Sequence, residues 1–199
     1  MTDKPTSAQW FSPAPPATRQ GGWIQTRTGR KFWPLDPRPE DVHIEDIAHA
    51  LAMKCRYGGH CLRFYSVAEH SVLVSQFLPP ELALWGLLHD AGEAYLADVP
   101  RPVKQQLTGF HALEAAVLRA VAVRFGLQGV VEPPEVKRID TALLSDERKV
   151  LMAPLLDGAA SDAEWGATEP GVGAHVRGLD PVAAAELFLQ RFAELTQVR

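Results

Sequence analysis

From Ile47 to the C-terminus the apolar residues of this chain recur at steps of three and four, punctuated by prolines and glycines, a period that predicts helices. Glu45-Asp46 opens the first, through Ile47, Ala50, Leu51 and Met53, with an end expected near Gly58-Gly59. The next starts at Ser66 and runs to about Leu78, with Val67, His70, Val74 and Phe77 on one stripe. After Pro79-Pro80 another carries Leu82, Trp85, His89 and Glu93 at the same steps. Gly109 to Phe125 reads as an amphipathic helix. Glu135 to about Met152 reads as another, with Val136, Asp140, Leu143, Leu144, Glu147 and Leu151 on one face. Asp180-Pro181 starts the last one. Strand signal is confined to Trp23–Trp33, which alternates around Thr28-Gly29 as a short β-hairpin does. The expected class is all-α: a helical bundle with a short N-terminal hairpin.

The segments outside this pattern set the domain boundaries. Residues 1–20 hold Pro5, Pro13, Pro15 and Pro16 among small and polar residues and read as a disordered arm. Residues 21–199 then form a single domain, since 199 residues with 46% hydrophobic content suffice for one core and hardly for two. Residues 154–181 are rich in Gly, Ala, Asp and Pro and long for a connection, so they are either disordered or a functional lid. Trp165 argues against pure disorder.

A net charge of -4 gives no general attraction to nucleic acid or to anionic membranes. Cys55 and Cys61 make neither a CxxC pair nor a disulfide framework, the N-terminus lacks a signal-peptide plan, and no apolar run nears the ~20 residues of a membrane helix. A soluble, reduced, cytoplasmic protein is expected.

Chemistry enters where ionisable residues interrupt the apolar stripes. Leu82, Ala83, Leu84, Trp85, Leu87 and Leu88 run straight into His89 and Asp90, with Glu93 and Asp98 beyond. An unpaired ion there is costly, and a cation held between His and Asp removes the cost. His70, His89, Asp90 and Asp140 come from three predicted helices, each on or beside an inward face. Two imidazoles and two carboxylates balance a divalent cation such as Mn²⁺, Co²⁺, Fe²⁺ or Mg²⁺ and leave positions open for water and substrate. Glu93 lies one turn from both His89 and Asp90, within reach of the site without being a ligand. Asp98 fits the same role or caps the helix after Pro100. Arg56, His60 and Arg63 cluster in a glycine-containing loop suited to a phosphate, and Arg101 and Lys104 add positive charge. The hairpin tip, with Arg27, Arg30 and Lys31, either touches phosphate or is a solvated turn. Ser66 and Glu69 have capping-box spacing, which is a sufficient structural account of Glu69.

On these residues the chain resembles the HD-domain phosphohydrolases, whose pattern is H…HD…D, here His70, His89-Asp90 and Asp140. AEHS (68–71), LLHDAGEAYLADVPRPVK (87–104) and VKRID (136–140) resemble the bacterial and phage 5'-deoxynucleotidase branch over roughly Glu45 to Leu151. The resemblance implies a helical bundle around one metal site, with His70, His89, Asp90 and Asp140 as ligands and Glu93 and Asp98 as acidic catalytic groups. It also implies Arg56 as the phosphate contact, with Arg63 as competitor, and homodimers. The Gly-Gly-His sequence at 58–60 and the tryptophan-rich hairpin depart from the pattern and bear on the nucleoside pocket. The implied reaction is hydrolysis of a deoxyribonucleoside monophosphate. Removal of triphosphate from a dNTP, cleavage of a nucleotide second messenger, an HD nuclease activity and a non-catalytic nucleotide-binding module are the alternatives. Net negative charge argues for a small nucleotide over a polymer.

Overall fold

The computed structural model describes residues 18–156, 158, 161 and 164–197. Most of the expected N-terminal arm, residues 1–17, lies outside them. Strands β1 (Ile24–Gln25) and β2 (Lys31–Phe32) pair antiparallel with Ile24 opposite Phe32. Seven helices follow among the described residues: α1 (Ile44–Ala52), α2 (Val67–Gln76), α3 (Pro80–Leu88), α4 (Arg101–Lys104), α5 (Phe110–Phe125), α6 (Pro134–Leu151) and α7 (Pro181–Gln197). The chain is mostly helical, as the apolar period predicts, and among the described residues no helix is long and apolar enough to cross a membrane.

The centre of the bundle is α2, in which every residue from Val67 to Ser75 is buried. Helix α3 folds back on it after the two prolines, and Gly86 sets how closely. A Cβ at Gly86 would lie 2.4 Å from Leu78 Cδ1 and 3.1 Å from the Ser75 Cα, so only glycine permits this crossing without displacement. Helix α7 lies across α1 and α2, where Arg191 Nε donates to Ser75 Oγ at 3.0 Å. One apolar cluster runs from Phe32 through Trp85 and Leu143 to Phe188. Each such side chain contributes about 1.5–3 kcal/mol on burial. The hairpin is fastened to the bundle at its tip: the Thr28 N–H and hydroxyl donate to the two Asp46 carboxylate oxygens at 2.8 and 2.9 Å. Beneath it Phe32 stacks on Tyr95.

Three local expectations change. Helix α1 ends at Ala52 rather than near Gly58-Gly59, because the chain reverses into a bridge in which Arg56 N–H donates to Tyr65 O and Val67 N–H to Lys54 O. Residues Arg56–Gly59 form a separate 3-10 turn with Tyr57 in the left-handed region at φ 58°. Helix α3 stops at Leu88, and Glu93 sits on a second 3-10 turn, Ala91–Ala94. Consecutive residues of an α-helix point about 100° apart. The break after His89 therefore lets His89 and Asp90 aim at one point. Finally, Ser66 Oγ accepts from Glu69 N–H as a capping box requires, but the Glu69 carboxylate accepts from the N–H groups of Arg177, Gly178 and Leu179 at 2.7, 3.1 and 2.7 Å. Three tertiary donors outcompete one local one.

That contact makes the end of the 154–181 connection a strap. Ala174 N–H donates to Asp146 Oδ2, Ser145 Oγ to Glu169 O, and Arg63 to Val176 O. Trp165 packs against Tyr57, with ring centroids 5.4 Å apart. The described part of the connection is thus tied to α2 and α6.

Candidate metal centre

His70 comes from the middle of α2, His89 caps the C-terminus of α3, Asp90 follows it, and Asp140 lies on α6. Their side chains converge. His70, His89 and Asp140 offer ligand atoms that all lie within 4.8 Å of one another, a cluster that could hold a metal ion. Asp140 Oδ1 is 3.1 Å from His70 Nε2 and 3.9 Å from His89 Nε2. Asp90 Oδ2 joins from the other side, 3.2 Å from His89 Nε2 and 3.9 Å from His70 Nε2.

The outer ring of contacts decides which imidazole nitrogen faces the centre. His89 Nδ1 is 2.8 Å from Gly86 O, which only accepts, so Nδ1 carries a proton. His70 Nδ1 lies 2.6 Å from Glu147 Oε1 and is a donor for the same reason. Both Nε2 atoms are left buried and, among the described residues, without a hydrogen-bond partner, although carboxylates lie nearby. On a neutral ring each Nε2 lone pair faces carboxylate oxygens that also only accept, which is costly; a proton on Nε2, or a cation between imidazoles and carboxylates, removes that cost. The donor set and the two orphaned atoms therefore fit a metal ion.

Glu147 organises this ring. It is fully buried and accepts from His70 Nδ1, from Tyr65 OH at 2.8 Å and from Tyr57 OH, while Arg56 Nη2 stands 3.3 Å away. Burial opposes its ionisation, but Arg56 and His70 outweigh burial and hold its pKa at about 2. Arg56 also reaches Asp90, at 3.6 Å, and its Nε has no partner. At the centre, burial works against charge on His89, yet Asp90 and Asp140 push the imidazole up to about 9. Asp90 and Asp140 are held below the usual carboxylate range: the imidazoles beside them overcome the effect of burial.

Glu93 lies beside the cluster with its Oε2 buried and unpartnered and with Lys104 Nζ 3.9 Å from Oε1. Burial, reinforced by Asp90 and Asp98, raises its carboxyl to about 9. Asp98 is raised as well, by burial first, and it feels Arg56, Asp90 and Lys104. It does not cap α4, whose cap residue is Pro100 with no side-chain bond. Lys104 is paired chiefly with Glu114, at 2.7 Å. Of the remaining substrate candidates, Arg63 turns to the strap at Val176 O, and His60 is exposed at the end of the 3-10 turn. Of the loop residues Arg56, His60 and Arg63, the fold brings Arg56 to the acidic cluster.

No family model matches the chain. Over 183 residues it is 36% identical to YfdR of Escherichia coli strain K12, an alignment that takes in 89% of this chain and 97% of YfdR. The chain belongs to the YfdR family. A protein of Rhodobacter capsulatus is also 36% identical over 170 residues, covering 79% of this chain and 84% of that protein. Both relatives are described only as uncharacterised, so membership of the YfdR family brings no activity with it.

Within this YfdR-family chain, several residues of the centre had no role in the sequence pattern. Glu147 was on the inward face of α6, seven residues and two turns after Asp140. That spacing was the available signal that both point at one site. Lys137, whose Nζ is 2.5 Å from Asp140 Oδ2, sits one turn before it. Tyr57 and Tyr65 flank the reversing loop and reach Glu147 through contacts 90 and 82 residues apart in sequence, which periodicity does not encode.

Proposed function

We propose that the protein is an HD-type, divalent-metal-dependent phosphohydrolase that converts 5'-deoxyribonucleoside monophosphates to deoxynucleoside and phosphate. The observation that carries the reading is the pair of buried, partnerless Nε2 atoms facing Asp90 and Asp140, with Arg56 beside them. The substrate class rests on the resemblance of the 68–71, 87–104 and 136–140 blocks to the 5'-deoxynucleotidases. His70, His89, Asp90 and Asp140 would hold the ion, and their mixed N/O chemistry suits Mn²⁺, Co²⁺, Fe²⁺ or Mg²⁺. Such an ion supplies Lewis-acid charge and a water of lowered pKa.

The remaining work falls to side chains. Arg56, shielded from water and already balancing two carboxylates, offers its guanidinium to the phosphoryl oxygens. Glu93, in its ionised form, orients the attacking water and takes its proton, and burial raises its affinity for that proton. Asp98 adds to the field that holds that proton, and Lys104 balances Glu93. A triphosphate would call for further cations. Of the five candidates Arg27, Arg30, Lys31, Arg101 and Lys104, Arg30 donates instead to Thr28, Lys31 lies over Trp23 and Lys104 is taken by Glu114, which supports the monophosphate.

The test is the purified protein with Mn²⁺ or Co²⁺ against a panel of 5'-mono- and triphosphates, with phosphate, pyrophosphate and triphosphate release distinguished. Phosphate release from deoxyribonucleoside monophosphates, weakened by Arg56→Ala with metal content unchanged, is expected. Triphosphate release from dNTPs would replace the substrate assignment. Nucleotide binding without turnover would replace the enzyme by a binding module.

A further inference from the structure

The loop that delivers Arg56 and Tyr57 to the centre is bounded by the two cysteines of the chain. Six residues apart in sequence, Cys55 and Cys61 are brought together because the turn between them passes through three left-handed residues, Tyr57, Gly58 and Gly59. Their sulfurs lie 3.4 Å apart, both are free thiols, and both are partly exposed. Cys61 Sγ also lies 3.7 Å from Arg56 O. We propose that Cys55 and Cys61 are a reversible disulfide site, and that its closure changes anion binding at Arg56 while leaving the metal ligands in place.

The oxidant is a low-molecular-weight disulfide. One cysteine, as thiolate, attacks a sulfur of that disulfide, forming a mixed disulfide and releasing one small thiol. The second cysteine loses its proton and attacks the protein-side sulfur, releasing the other small thiol. The protein loses two hydrogens and the oxidant becomes two thiols, so the exchange is balanced and reversible. The sulfurs must then approach from 3.4 Å to about 2.05 Å. The Cys61 thiol gives up its contact with Arg56 O, and the ring closed by the bond contains both Arg56 and Tyr57. Arg56 reaches Glu147 and, at 3.6 Å, Asp90, and Tyr57 reaches Glu147, whereas His70, His89, Asp90 and Asp140 all stand outside the ring on other elements. Interior packing transmits such a shift to the Arg56 guanidinium. The disulfide itself does not depend on the proposed reaction; its effect on anions rests on the phosphate-site reading of Arg56.

The experiment equilibrates the full-length protein in glutathione buffers of rising oxidised fraction, then traps free thiols with an alkylating reagent and measures intact mass. A species lacking two hydrogens, unalkylated, free of glutathione and restored by reductant is expected. Cys55→Ser and Cys61→Ser should each instead hold one glutathione on the remaining cysteine. Inorganic phosphate, titrated by calorimetry, should bind several-fold more weakly to the oxidised wild type, with metal content the same and with the double variant Cys55→Ser/Cys61→Ser insensitive to the buffer. Two alkylated thiols throughout the series, or glutathione retained on both cysteines, would overturn the disulfide. Unchanged phosphate affinity in the oxidised form would overturn the coupling to Arg56. If reduced wild type binds no phosphate at all, the functional reading fails, and the mass measurement judges the disulfide separately.

Discussion

Glu69 and His70 are neighbours on α2, both buried, and opposite in what surrounds them. Glu69 points to the strap, where three backbone N–H groups satisfy its carboxylate. His70 points to α3 and α6, where Glu147 satisfies Nδ1 and none of the described residues donates to Nε2. Burial is therefore no guide to role. A buried polar group whose partners all belong to the fold holds the fold together. One whose partner is missing marks a place where something binds.

That contrast is sharpened first by the residue expected to act on substrate. Glu93→Gln should keep metal and lose about 10²–10⁴-fold in kcat, or about 3–5 kcal/mol of barrier. Steady-state kinetics with a Mn²⁺ titration check it. Full rescue by excess metal would mean that Glu93 only orients the site. On the other side of α2, Glu69→Gln should cost about 1.5–3 kcal/mol of stability, because a charged acceptor of three N–H groups becomes a neutral one. Chemical denaturation measures that loss, and metal stoichiometry should not move. Glu147→Gln, which also neutralises a buried acceptor, should in addition move metal binding. Removing the carboxylate that orients His70 typically weakens metal binding 10–100-fold, or about 1.4–2.7 kcal/mol, without releasing the ion at saturating concentration. Competition with a fluorescent chelator reads it directly.

The smallest effect per step is on pH. Because Asp90 and Asp140 lift His89 to about 9, a proton competes with a cation for its Nε2. Metal affinity should then rise with pH through the neutral range and level off near pH 9, changing by up to about tenfold per unit from this group. A chelator competition series from pH 6 to 10 tests the sign: affinity that falls as pH rises in this window would exclude proton competition at His89.

The helices were legible because their period is local. Val67, His70 and Val74, or Val136, Asp140 and Leu143, repeat at intervals that depend only on 3.6 residues per turn. The cluster of His70, His89 and Asp140 is legible for the same reason, since an ionisable residue stands out on an apolar stripe. The apolar pattern predicts Glu93 on the same continuous helix as His89, because the pattern continues through Gly92 while the backbone does not. Glu69 is structural, as its capping box implies, but its carboxylate is held by the strap, which spacing does not encode. The two cysteines are free thiols, as their spacing implies, and the left-handed turn that brings them together is equally invisible in sequence. Arg56 and Glu147 make a pair that only tertiary structure brings together.

The central claim is that His70, His89 and Asp140 form a metal centre, and the most direct measurement is the stoichiometry of binding. Chelator-stripped protein would be dialysed against Mn²⁺ or Co²⁺ and analysed for metal alongside His89→Ala, Asp140→Ala and Glu69→Gln, with circular dichroism confirming that each is folded. One ion per chain is predicted in the wild type and in Glu69→Gln, and none at the same free metal in His89→Ala or Asp140→Ala. A wild type that takes up no stoichiometric ion, or folded His89 and Asp140 variants that retain it, would contradict the account.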